Sequence, residues 1–299
     1  MGRVFVIGNA GLDLRLPVPR LPHRGETLLG GAMTRAPGGK GLNQAVVASR
    51  SGAAVRFLAA LGDDPQGVEV AGLIAAEGLD AGLLPRLAMA TDFSLLMVFP
   101  DGENSIVSAG PCAKALTPAD AQGFVAEAGA GDVVLLQGNL SRATTAATLA
   151  RARRQGALTL FNPAPLWWDA RALVPECALV IANLDEARSM TGALEASVAV
   201  SALTALGTQA AIVTLGAGGC LLHDGVEARA FPASKIEAVD TTGCGDTFCG
   251  VMAACLADGL PSDRAIGHAQ AAAALTAMRP GAHAALPSVA ELGRLLHTP

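Results

Sequence analysis

The sequence contains no tyrosine, only two Trp and eight Phe, and just 16% charged residues. With 51% apolar residues this remains a globular composition and excludes intrinsic disorder. There is no basic run beyond Arg151, Arg153 and Arg154, and the formal net charge is -5. Both argue against duplex nucleic acid or an anionic membrane surface as a partner. No apolar run reaches membrane-spanning length despite a mean hydropathy of +0.42. After the short apolar start, Asn9 and a Gly11–Leu16 stretch stand where a secretory signal would need its cleavage region, so Val4–Ile7 is expected to be a first strand. The six cysteines (Cys112, Cys177, Cys220, Cys244, Cys249, Cys255) form no CxxC and no Cys/His metal spacing. They predict free thiols in a reducing cytoplasm. The five histidines (His23, His223, His268, His283, His297) share no metal-binding spacing either. Repeats and low-complexity tracts are absent, so the 1–299 chain is expected to be one domain.

Continuous apolar runs at Val4–Ile7, Val55–Leu61, Val133–Gln137, Leu158–Phe161, Leu179–Ala182 and Ala211–Leu215 predict strands covered on both faces. Helical patterns fall between them, at roughly 41–52, 66–78, 118–128, 142–155, 196–206, 246–258 and 262–278. The alternation predicts an α/β fold: a Rossmann-like three-layer αβα core around a mostly parallel sheet. Two segments, about 12–36 and 92–108, instead alternate polar and apolar residues. The second contains Asp101-Gly102, a hairpin turn signal. Together they predict a small discontinuous β-sheet lid.

Two glycine-rich segments carry the chemistry. Asp240-Thr241-Thr242-Gly243-Cys244-Gly245-Asp246 runs into an apolar helix. Its glycines allow a tight turn, so free N–H groups at the helix start can converge on an anion. Asp246, in the first turn, could complement the helix dipole or take a proton from a hydroxyl. Pro37-Gly38-Gly39-Lys40-Gly41-Leu42-Asn43 also leads into a helix. It is not a Walker A loop, since Gly41 follows Lys40 and position 34 is Thr. The opening Gly8-Asn9-Ala10-Gly11 lacks the third glycine of a dinucleotide fingerprint.

In combination these segments resemble the two signatures of the ribokinase-like carbohydrate kinases, the PfkB family. Asn162-Pro163-Ala164-Pro165, Asn183-Leu184-Asp185-Glu186, Thr214–Gly219 and Arg279-Pro280-Gly281-Ala282 extend the likeness over nearly the whole chain, and its pattern is most similar to the ribokinase branch. The resemblance implies phosphoryl transfer from ATP to a sugar hydroxyl. Asp246 would be the general base, and the N–H groups of Gly243, Cys244 and Gly245 the anion hole. It implies sugar contacts from Asp13, Gly38, Gly39, Lys40, Asn43 and Asn139, and nucleotide contacts from Asn183, Thr214, Gly216 and Gly219. Glu186 would organise Mg²⁺ through water, although Asn183 with Glu186 also has the spacing of a plain helix capping box. A monovalent cation, K⁺ as a possible activator, would lie among Asp240, Thr242, Thr276, Arg279 and Gly281. A homodimer is expected through the lid, whose thin sheet with Leu95, Met97 and Phe99 has two faces to cover.

Three positions depart from the branch pattern. Gly11 stands where an Asn is usual, and Asn139 where an acid is common. Both changes bear on the sugar, so D-ribose leads, with another pentose, a ketohexose or its phosphate, or a nucleoside as alternatives. A non-catalytic sugar or nucleotide sensor is the reading from another class, opposed by retention of Asp246. Cys244 replaces the usual Ala; a thiol at a helix N-terminus can have a lowered pKa, though a packing role is preferred.

Overall fold

The computed structural model describes residues 2–80, 83–100 and 104–296. Fourteen strands lie among these: β1 (Arg3–Ile7), β2 (Gly11–Pro17), β3 (Thr34–Gly38), β4 (Ala54–Leu58), β5 (Leu61–Gly62), β6 (Arg86–Leu87), β7 (Asp92–Val98), β8 (Asn104–Ala109), β9 (Val133–Gln137), β10 (Leu158–Asn162), β11 (Leu179–Asn183), β12 (Ala210–Thr214), β13 (Cys220–His223) and β14 (Ala228–Phe231). The helices are α1 (Lys40–Arg50), α2 (Pro65–Ala76), α3 (Pro111–Ala115), α4 (Pro118–Phe124), α5 (Arg142–Arg154), α6 (Leu184–Thr191), α7 (Ala196–Ala205), α8 (Cys244–Ala257), α9 (Ser262–Ala277) and α10 (Val289–Leu296).

Eight strands form one sheet in the order β14-β13-β12-β11-β10-β9-β1-β4. Its six strands from β4 to β12 are parallel, and β13 and β14 extend it antiparallel. The continuous apolar runs become strands buried on both faces. Side chains alternate along each strand, so β1 serves two cores: Val4 and Val6 pack in one with Val47, Val251 and Ile266, while Phe5 and Ile7 pack in the other with Leu149, Phe161 and Val200. Each such fully buried aliphatic side chain contributes about 1.5–3 kcal/mol of transfer free energy. The α1 and α8 helices pack closely, and a Cβ on Gly250 would meet the Gln44 carbonyl oxygen at 2.7 Å. That contact sets the two glycine-rich helix starts side by side at the carboxyl ends of the parallel strands.

The second sheet has the order β3-β2-β7-β8, with β2 and β7 parallel and the outer pairs antiparallel. The strands flanking Asp101-Gly102 pair as a hairpin requires, while the turn itself lies outside the described residues.

Several boundaries differ from expectation. The predicted strand Val55–Leu61 ends at Leu58, because Leu61–Gly62 pairs separately with Arg86–Leu87. The 118–128 helix ends at Phe124 and continues as a 3₁₀ turn at Val125–Glu127. The sequence reading missed β6, β13, β14, α3, α6 and α10. No helix among the described residues is long and apolar enough to cross a membrane.

Candidate active site

Both glycine-rich segments open onto one cavity of about 540 Å³ between the two sheets, lined in part by Asp13, Gly38, Gly39, Lys40, Asn43, Asn139, Gly243 and Asp246. Gly243 adopts φ 83°, a conformation that favours glycine, and its carbonyl oxygen accepts the Thr247 N–H at 2.8 Å to start α8. Asp246 follows in the first turn and is buried. Its Oδ2 accepts from Asn43 Nδ2 at 3.1 Å and its Oδ1 from Gln44 Nε2 at 3.0 Å, while Lys40 Nζ lies 3.8 Å from Oδ1. The carboxylate is thus aimed by two amides and balanced by one cation. Asp246 in turn holds the Lys40 ammonium above its ordinary pKa, against the desolvation that lowers it.

Gln44 is the site residue that the sequence reading left out. It is fully buried, and its Oε1 accepts from Gln137 Nε2 at 2.7 Å. Its Nε2 also lies 3.3 Å from Asn162 Oδ1, and Asn162 Nδ2 donates to the Ile181 carbonyl oxygen at 2.9 Å. This amide chain ties the Asp246 carboxylate to the ends of β9 and β10. Only the adjacency of Gln44 to Asn43 could have flagged it.

Asp13 reaches the cavity from β2. Gly38 makes room for it, since a Cβ there would fall 2.2 Å from Asp13 Oδ1. Burial and the neighbouring Asp246 charge push the Asp13 carboxyl up to about 7, opposed by Lys40 and a hydrogen bond with Ser94. Two buried amide oxygens at the cavity, Asn43 Oδ1 and Asn139 Oδ1, have no hydrogen-bond partner. Orphaned acceptors of this kind are costly unless a ligand supplies donors, as a polyol does.

Asn183 and Glu186 form a capping box at the start of α6: Glu186 N–H donates to Asn183 Oδ1 at 2.8 Å and Asn183 N–H to Glu186 Oε2 at 2.9 Å. The capping box engages Oε2 of Glu186 and leaves Oε1 outside it. Burial raises the Glu186 pKa, opposed by the Asn183 N–H and the Lys40 charge. The β11–β12 register sets Asn183 beside Thr214. Gly216 and Gly219 form the turn that follows, so these predicted residues gather at adjacent strand ends.

The predicted cation group is brought together only in part. Asp240 Oδ1 accepts from Thr242 N and Oγ1 at 2.9 and 2.6 Å, and Oδ2 accepts from Gly281 N at 2.9 Å, with Arg15 Nη1 3.7 Å away. Burial raises the Asp240 carboxyl pKa, but these hydrogen bonds and Arg15 outweigh it and hold the group below its ordinary value. Thr276 Oγ1 bonds Thr247 Oγ1 in the interior, and Arg279 pairs with Glu291. Among the described residues no group of three or more His, Cys, Asp or Glu side chains could hold a metal.

The structure corrects the possibility of an acidified Cys244. Burial, with Asp240 and Asp246 nearby, pushes its thiol up to about 11. Its N–H also lies 3.3 Å from the Thr241 carbonyl oxygen. Lowering by the helix N-terminus is outweighed by desolvation and two carboxylates. Gly245, next to it, is open, with nothing within 4 Å of a would-be Cβ.

Comparison with known proteins gives a concordant result. A model described as pfkB family carbohydrate kinase matches residues 1–289. A ribokinase of Bacillus subtilis (strain 168) is 32% identical over 302 residues, covering 99% of this chain and 100% of the relative. The crystal structure of a ribokinase from Thermotoga maritima superposes with a TM-score of 0.90 at 28% identity, covering 100% of both chains. A structure of Arabidopsis thaliana ribokinase complexed with ribose and ATP superposes with a TM-score of 0.87 at 25% identity, again over 100% of both.

Proposed function

The chain belongs to the pfkB family of carbohydrate kinases and is an ATP-dependent sugar kinase, and on that premise we propose that it phosphorylates the hydroxymethyl group of D-ribose to give ribose 5-phosphate. The observation that carries the reading is the Asp246 carboxylate, oriented by Asn43 and Gln44, beside a helix start and facing a cavity with two orphaned acceptor oxygens. The sugar hydroxyl loses its proton to Asp246 as its oxygen bonds to the γ-phosphorus. The bond from that phosphorus to the bridging oxygen breaks, and ADP departs with the electron pair. N–H groups of Gly243, Cys244 and Gly245 spread the charge of the migrating phosphoryl group, the contribution on which such reactions chiefly depend. Asp13, Asn43 and Asn139 accept from sugar hydroxyls, and Lys40 balances the carboxylates. Asn183, Thr214, Gly216 and Gly219 line the nucleotide side.

Glu186 fits a water-shelled Mg²⁺, since the capping box uses only one of its oxygens and, among the described residues, no cluster of direct ligands competes. Such an ion, when bound, neutralises charge on the phosphates. The side chains of the predicted K⁺ group fit less well: the Asp240 oxygens are already engaged, so a potassium requirement would have to act through backbone carbonyls. Turnover in K⁺ against Na⁺ buffers tests it. The four-stranded sheet serves as the lid, closing over the sugar to exclude water. Its face away from the cavity, with Leu95 paired to Val107 and Leu16 to Met97, is the surface for a second copy of the chain. Six free cysteines support a cytoplasmic setting.

The decisive experiment is ATP consumption with D-ribose and Mg²⁺ by the wild type and Asp246→Ala. Ribose-dependent turnover should fall by about 10²–10⁴ in the variant. Turnover surviving the substitution would remove Asp246 from the role of base.

A further inference from the structure

The sugar cavity holds a second cation that phosphoryl transfer does not use. Lys114, on α3, is exposed at the cavity wall, and its ammonium stands 4.4 Å from the centroid of the Trp167 ring. Trp167 is itself anchored, its Nε1–H donating to the Gly138 carbonyl oxygen at 2.5 Å. A cation–π contact of this kind fixes the position of an ammonium without neutralising it. Among the described residues no carboxylate comes within ion-pair distance of Lys114. Asp92 also lines the cavity and its carboxyl feels the Lys114 charge, but it is buried, makes no ion pair among the described residues and accepts N–H groups from Cys112 and Ala113 at 2.8 and 3.2 Å. Lys40, by contrast, has Asp246 opposite it. Asn139, in the same cavity lining, is a neutral amide rather than an acid. This wall therefore combines a positive charge that no direct ion pair neutralises, an aromatic face and an amide. It is built from α3 and the segments that follow β9 and β10, whereas Asp246 and Lys40 come from the α8 and α1 helix starts. The cavity of about 540 Å³ takes in both this wall and the phosphoryl-transfer end at Gly243 and Asp246.

We propose that Lys114 is a specificity-determining residue that admits sugars carrying an anionic group, carboxylate or phosphate, at the end away from the hydroxyl offered to Asp246. The inference rests on the kinase reading above and widens its acceptor class; the bonds made and broken are unchanged. A carboxylate or phosphate gives the Lys114 ammonium charge-assisted hydrogen bonds. The Asn139 amide in the same lining adds no repelling charge.

The test compares kcat/KM for D-ribose, D-ribonate and ribose 1-phosphate, whose anionic groups sit at the opposite end from the 5-hydroxyl, in the wild type, Lys114→Met and Lys114→Arg. The wild type should turn over at least one anionic acceptor as well as it does ribose. The Lys114→Met variant should lower the ratio of anionic acceptor to ribose by about tenfold, mainly through KM, and Lys114→Arg should restore most of it. The carboxylate and phosphate arms report which anion is preferred. The inference is overturned if neither anionic acceptor is used, or if Lys114→Met moves ribose and the anionic acceptor together. Calorimetric binding of D-ribonate and ribose 1-phosphate separates this from failure of the kinase reading. Should no acceptor turn over, anion binding lost in Lys114→Met upholds the charge recognition, and binding that is absent or insensitive to the substitution rejects it.

Discussion

Asp13 shows how strongly the setting of a single residue shapes the site. Its carboxyl is pushed up to about 7 by burial and by Asp246. Accepting two sugar hydroxyls needs the ionised form, so kcat/KM for the sugar should rise with pH to about 7, and Asp13→Asn should be weaker but flat across that range. Stability runs the other way. The native state holds the Asp13 proton more tightly than the unfolded chain, so this group's contribution is full below the ordinary carboxylate range and is lost as pH rises through about 7. Thermal melts from pH 4 to 8 should show that slope, and Asp13→Asn should remove it. Asp246, Lys40 and Asn43 were legible in the sequence because glycines mark where backbone turns beside a polar group, while Asp13 was placed only by the family resemblance. Gln44, Gln137 and Asn162 were not, since a buried amide reveals its role only through the partners that folding supplies. Lys114 and Trp167 are 53 positions apart in the chain, and no local pattern joins them.

Among the elements, β2 explains one departure from the ribokinase pattern. Gly11 pairs with Asp92 across the parallel β2–β7 ladder, and a Cβ on it would lie 2.0 Å from the Asp92 carbonyl oxygen. An Asn at this position cannot be restored without parting the strands. We expect Gly11→Asn to destabilise the protein by about 1–3 kcal/mol in denaturant melts, without improving ribose turnover. Unchanged stability would mean that the ladder yields more easily than its geometry implies. The six parallel strands were readable because burial on both faces demands continuous apolar runs. The α6 helix has only eight residues, and the Asn183 and Glu186 signal at its start had a competing ligand-site reading. Four-residue strands such as β13 and β14 carry too short a period to register.

For the whole molecule, the four-stranded sheet divides by side-chain parity. Asp13, Ser94, Leu96, Ile106 and Ser108 line the cavity, while Leu95 pairs with Val107 on the other face. Val107 is 60% exposed, whereas Phe99 lies just beyond β7. Sedimentation should give a dimer for the wild type and a shift toward monomer for Val107→Arg; a wild-type monomer at all concentrations would exclude this pairing. The unpartnered oxygens of Asn43 and Asn139 have a consequence of another kind. Each buried acceptor without a donor costs about 1–3 kcal/mol, so the idle enzyme trades resilience for affinity. It should be at its most heat-labile and protease-sensitive when starved of sugar, and its lifetime in the cell would then follow the supply of what it phosphorylates.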